Sequence, residues 1–206
     1  MPGHAVAQRG AGTDRSAACR LGSAPGLGAI MPGTDEDVRG AFVRRAGLTN
    51  LDVPAVVNAI KAIPHGRPRE RTAAGVVQEW RGTCSTKILL LLEVCPDLPI
   101  RIFNRVFRLT RDAANHHLGS TVAAVVPPNG MIDVHTFAKV QVGSAWVTVD
   151  LTFPGEAWDG RSDMSIPWGD GDDFDAGDDP IGHKEALIQE LGDPAARARF
   201  IEAISA

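Results

Sequence analysis

Three side chains in this sequence have types and spacing suited to covalent acyl chemistry: Cys84, His135 and Asp150. Cys84 stands in the stretch "QEWRGTCSTKILLLLE", directly before an aliphatic run. A cysteine attacks through its thiolate, and a free thiol titrates near about 8.5. A helix N-terminus lowers that value, because backbone dipoles there favour negative charge. The run after Cys84 reads as a buried helix that "CPDLP" (Cys95 to Pro99) stops, so Cys84 falls at its N-terminus. Gly82 and Thr83 place little bulk beside the sulfur. Taken alone, such a cysteine reads as a small buried apolar residue. Partners must decide otherwise.

The partners come from a hairpin. "IDVHTFAKVQV" and "AWVTVDLTF" are β-rich runs on either side of Gly143-Ser144, a two-residue turn signal. With that turn, Val142 pairs with Ala145 and Asp150 falls opposite Phe137. Strand side chains alternate, so residues 135 and 137 share a face. His135 and Asp150 are then diagonal neighbours, roughly 7 Å apart at the backbone and within side-chain reach. A carboxylate there can hold one imidazole nitrogen and leave the other to take the thiol proton. A one-residue slip of register would put the two on opposite faces.

The elements that must position these groups follow from the wider pattern. Residues 1–33 are rich in Gly, Ala, Pro, Ser and Arg and read as a disordered extension. Met31 is a second candidate start, just before a helix signal with Thr34 or Asp35 as N-cap. The remaining chain, 34–206, reads as one domain with its core at 73–154 and an acidic loop and helices at 155–206. Helices are expected over residues 35–46, 51–63, 73–80 and 84–94. "IRIFNRVFRL" (Ile100 to Leu109) alternates like a half-buried strand, and "STVAAVV" (Ser120 to Val126) reads as another. Helices followed by strands argue for an α+β fold with an antiparallel sheet.

Composition excludes several classes. The 206 residues carry 21 basic and 25 acidic side chains, a net charge of -4, which is no nucleic-acid footprint. The longest apolar run is far shorter than the ~20 residues of a membrane helix. Three cysteines without metal-ligand spacing argue against a disulfide framework and make the cytoplasm the simplest location. Asn115-His116-His117 reads as a polar loop without a third ligand. The aspartates between Asp170 and Asp179 lack calcium-loop spacing. They read as a solvated loop that borders the groove and disfavours acidic substrates. Trp158 and Trp168 are expected to pack that loop onto the core.

The combination of "EWRGTC" before an aliphatic helix, "DVHTFAKV" and "WVTVDLTFP" resembles the transglutaminase-like superfamily of papain-like cysteine enzymes. The resemblance covers about Trp80 to Pro154. It implies Cys84 as nucleophile, His135 as general base and acid, and Asp150 as the orienting carboxylate. The Trp-x-x-x-Asp-x-Thr pattern is met by Trp146, Asp150 and Thr152. The pair after His135 is Thr136-Phe137, where many members carry Ala-Trp. The position of Gln78, six residues before Cys84, resembles the papain branch, where a Gln amide stabilises the oxyanion. Trp80 and the backbone N–H of Cys84 are further candidates for that role. The implied reaction is cysteine-dependent hydrolysis or transfer at a peptide, protein, amide or ester carbonyl, with no cofactor, nucleic acid or membrane partner. An arylamine N-acetyltransferase-like enzyme is an alternative, although Arg81-Gly82-Thr83-Cys84 departs from its Arg-Gly-Gly-x-Cys motif. A catalytically silent binding module of the same fold is another.

Overall fold

Helix-starting side chains mark out the first half of the chain in the computed structural model, which describes residues 37–205. Expectations for residues 1–33 and for Thr34 and Asp35 as N-caps lie outside the described residues. Helix α1 (Val38–Ala46) is capped by Asp37 and stopped by Gly47, whose φ of 65° favours glycine. Helix α2 (Val53–Ala62) is capped by Asp52 and buries Val53, Val56, Val57 and Ile60, the stripe the spacing predicts. Thr72 caps α3 (Ala73–Glu79). Thr83 and Thr86 form a reciprocal capping box that opens α4 (Cys84–Val94) at the cysteine itself.

The sheet follows. Strand β1 (Ile100–Leu109) runs antiparallel to β2 (Met131–Val142), which turns through Gly143-Ser144 into β3 (Ala145–Val149). Val142 pairs with Ala145 and Ala138 with Val149, the register expected from a two-residue turn. Because β3 ends at Val149, it leaves the edge of β2 open below Ala138, and Asp150 steps off the strand there. The architecture is α+β with an open antiparallel sheet in the order β3-β2-β1-β4.

Three local expectations need correction. Ser120 to Val125 is helix α6, not a strand. Its neighbour α5 (Arg111–Leu118) contains Asn115, His116 and His117, which are therefore helical rather than in a loop. Gly119 (φ 88°) separates the two helices, and α6 presents Val122 and Ala123 to an apolar cluster with Phe200 of α8 (Pro194–Ser205). Packing overrode the β-branched composition. The acidic segment, in turn, supplies β4 (Asp172–Asp175), paired antiparallel to β1. Arg105 and Arg101 of β1 neutralise it, through ion pairs with Asp173 (2.6 Å) and Asp175 (2.8 Å). Cys95, the C-cap of α4, is disulfide-bonded.

The larger apolar cluster joins α1–α4 to β2 and β3, with Ile88, Leu90, Leu91 and Val94 of α4 fully buried in it. Trp158 is buried in the same cluster. A second cluster lies beside the start of β2 and includes α5, α6 and α8. Helix α7 (Pro180–Leu191) packs on β1 and β2. Among the described residues no helix is long and apolar enough to cross a membrane.

Candidate active site

The leucines of α4 fix its axis, and the capping box fixes where it begins. Cys84 is its first residue, so the Cys84 N–H has no intrahelical acceptor. The approach to Cys84 is held by a short parallel bridge: Gly66 N–H donates to the Gly82 carbonyl (3.2 Å) and Gly82 N–H to that of Pro64 (3.1 Å). Gly82 is needed there, since a Cβ would stand 2.8 Å from Lys87 Cγ.

His135 and Asp150 meet as the hairpin register requires. His135 Nε2 and Asp150 Oδ2 are hydrogen-bonded in a buried pair. The second oxygen, Oδ1, accepts from Thr152 N–H at 2.9 Å, which fixes the carboxylate plane. Burial alone would raise the Asp150 carboxyl, but the His135 ring outweighs it and holds the group below the usual carboxylate range. Burial would likewise strip the proton from His135. The Asp150 carboxylate and the Cys84 sulfur outweigh that too and lift the imidazole to about 9.

The sulfur has a further partner. Lys184 of α7 is only 6% exposed and donates from Nζ to Cys84 Sγ at 3.2 Å. Among the described residues no carboxylate pairs with it. Burial pushes the Cys84 thiol up, but the Lys184 ammonium and then the His135 imidazole outweigh burial and hold it well below its usual value. Both neighbours therefore favour the thiolate form of the sulfur. His65, on the same cavity wall, is lowered by burial to about 4 and is neutral at pH 7.

Trp168 closes the other side. Its indole Nε1 donates to His135 Nδ1 at 3.0 Å, and its ring packs on Phe107, His117 and Phe153. Nδ1 can accept that bond only when it carries no proton. The Nδ1 proton of an imidazolium would lie on that same axis in the ring plane, so the Trp168 contact belongs to the neutral ring and must open when His135 is protonated.

A buried polar relay ties these elements together. Thr136 Oγ1 donates to Asn104 Oδ1 (2.8 Å), so Ser85 Oγ, at 2.9 Å, must donate to Thr136. Asn104 Nδ2 then donates to the Pro180 carbonyl at 3.0 Å. The relay links the residue after Cys84, the residue after His135, β1 and the start of α7. Lys87 braces the other end of the site, donating to the carbonyls of Ile63 (2.5 Å), Thr152 (3.0 Å) and Lys61 (3.3 Å).

The structure thus brings Cys84, His135 and Asp150 together and leaves two expected residues outside. Gln78 lies exposed on α3, where its carbonyl accepts from Arg45 (2.9 Å). Trp80 stacks on Phe42 at 6.2 Å with Arg45 over its ring. Neither lines the cavity at Cys84, so neither stands where it could donate to an oxyanion. The polar donors beside the sulfur include the Cys84 N–H, Lys184 and the Thr136 backbone N–H. The acidic segment is also misread as a border of the groove: Asp173 and Asp175 are spent on β1 arginines, and the cavity is lined by Arg67, Arg71 and Arg197.

Lys184 was not anticipated, although its signal is present. The buried residues of α7 are Pro180, Lys184, Leu187 and Ile188, an apolar helical stripe in which one lysine stands. A lysine on such a stripe needs a buried partner. Among the described residues no group of three His, Cys, Asp or Glu side chains could hold a metal ion. No protein-family model, curated protein or solved structure matches the chain.

Proposed function

We propose that this protein catalyses cysteine-dependent acyl transfer or hydrolysis at an amide or ester carbonyl, on a transglutaminase-like, papain-like scaffold. The observation that carries the reading is one buried cysteine sulfur at a helix start, flanked by a carboxylate-oriented histidine and a buried lysine amine. The Cys84 thiolate attacks the carbonyl carbon, and the negative charge moves to the carbonyl oxygen. The Cys84 N–H and the Lys184 ammonium are donors that can stabilise it. His135 gives its Nδ1 proton to the leaving amine or alkoxide as the carbon–heteroatom bond breaks, and a thioester forms on Cys84. The neutral ring then takes a proton from water or an acceptor amine, which displaces the thiolate. Asp150 keeps Nε2 occupied throughout, so that Nδ1 does the proton transfer.

Iodoacetamide alkylation across pH, read by mass spectrometry at Cys84, tests this directly. Cys84 is expected to react fully at pH values where a free thiol is largely protonated, and His135→Ala to shift that profile upward. Screening amide and ester libraries for a Cys84-linked acyl adduct identifies the donor. A Cys84 that titrates like a free thiol, with a profile indifferent to His135→Ala, would sink the proposal.

A further inference from the structure

The charges around the cavity at Cys84 pair off, with one left over. Cys84, Lys184, His135 and Asp150 form a buried set whose opposite charges balance. Arg197 pairs with Asp133 at 2.9 Å, and Arg71 pairs with Glu185. Arg67 lines the same cavity, and no hydrogen bond or contact ion pair holds it among the described residues; Glu185, already in contact with Arg71, acts on it only through space. It is half-buried, and its place is fixed by the Pro64–Gly66 bridge to Gly82, two residues before the nucleophile. A half-buried guanidinium without a contact partner of its own has donors that a ligand can complete. A second polar group waits in the same cavity. The Thr152 hydroxyl is 1% exposed and faces the Asp150 carboxylate, which it helps to hold ionised, without a hydrogen bond of ordinary geometry. The remaining wall is apolar, with Phe107, Leu109 and Phe200, around about 70 Å³ of free volume.

We infer that Arg67 is the docking cation for an anionic group, a carboxylate or a phosphate, carried by the acyl donor that Cys84 attacks. The inference rests on the acyl-transfer reading and names its substrate class. The donor bears the anion on the part of the molecule that stays in the cavity, and its short apolar stretch lies against Phe107 and Leu109. Burial and the neighbouring Arg71 and Arg197 charges press the Arg67 proton affinity down, and the single Glu185 carboxylate offsets them only in part; an anion would relieve the rest.

The test compares iodoacetate with iodoacetamide as alkylators of Cys84 in the full chain, for the wild type, Arg67→Gln and Arg67→Lys. The two reagents differ by one charge, so their rate ratio reads the local field. The expected ratio exceeds that of free cysteine, falls about tenfold in Arg67→Gln, as one nearby unit charge produces, and is restored by Arg67→Lys. A reactive Cys84 whose ratio ignores Arg67 overturns the anion site and leaves the acyl-transfer reading standing. If neither reagent labels Cys84, the acyl-transfer reading fails. Titrating Cys84→Ser with glutarate and with inorganic phosphate then decides the site alone. Binding of either that weakens at least tenfold on adding Arg67→Gln supports it, and the tighter of the two identifies the anion. Binding indifferent to Arg67 overturns it.

Discussion

Replacing Lys184 by methionine removes one buried positive charge 3.2 Å from the Cys84 sulfur while keeping the length of the side chain. Two unit charges at that distance interact by about 5 kcal/mol at an effective dielectric near 20. A hydrogen bond to a charged group contributes about 1.5–3 kcal/mol by mutational measure. One pKa unit corresponds to about 1.4 kcal/mol, so on the mutational measure the Cys84 titration should move upward by about 1–2 units. The direction is fixed by charge: losing a cation disfavours the thiolate. The assay is the pH dependence of iodoacetamide alkylation at Cys84, with thermal melting to verify folding. Lys184→Arg serves as the charge-preserving control and should keep the midpoint near that of the wild type. A folded Lys184→Met protein whose midpoint moves by less than about 0.3 units would refute the claim that the ammonium sets the state of the sulfur.

Other outcomes follow from the same geometry. Amide turnover should fall as pH rises through about 9, where His135 loses the proton that the leaving amine needs. An ester with a good leaving group should show this limb weakly, and identical limbs for both substrates would count against His135 as the acid. Trp168→Phe deletes a donor that favours the neutral ring, so the alkaline limb should rise by about 0.5–1 unit; a limb that stays put or falls contradicts that role. Lys87→Met leaves three buried carbonyls without their donor. It should cost about 2–4 kcal/mol, seen as a melting temperature lower by about 5–12 °C.

The legible part of this protein was local. The hairpin could be read because a two-residue turn fixes register, and register fixes which residues share a face. That brought His135 to Asp150 from sequence alone. The start of α4 could be read because an aliphatic run follows Cys84 directly; the Thr83–Thr86 capping box that fixes it is a further signal, present in the sequence but not anticipated. What escaped the sequence was set by distant packing. The stretch 120–125 has strand-like composition, yet it helps cover a cluster completed by Phe200. The aspartates of β4 look like a solvated loop until Arg101 and Arg105 of β1 stand opposite them. Gln78 has a suggestive spacing, but it is counted along a helix that turns it outward. Lys184 carried a signal, a cation on an apolar stripe, without anything nearby in sequence to say which buried group it faces.

The contact between Lys184 and Cys84 joins residues 100 positions apart. Until α7 docks, nothing on the N-terminal side supplies that ammonium, and the Ser85–Thr136–Asn104–Pro180 relay that seats α7 is also incomplete. The emerging chain therefore carries an ordinary, mostly protonated thiol. Its nucleophile is switched on by the completion of the fold, because contacts this distant in sequence form late. Pulse alkylation during refolding should show Cys84 gaining its reactivity in the last phase. On the acyl-transfer proposal, the reactive sulfur is thus withheld until the chain that positions its partners is folded.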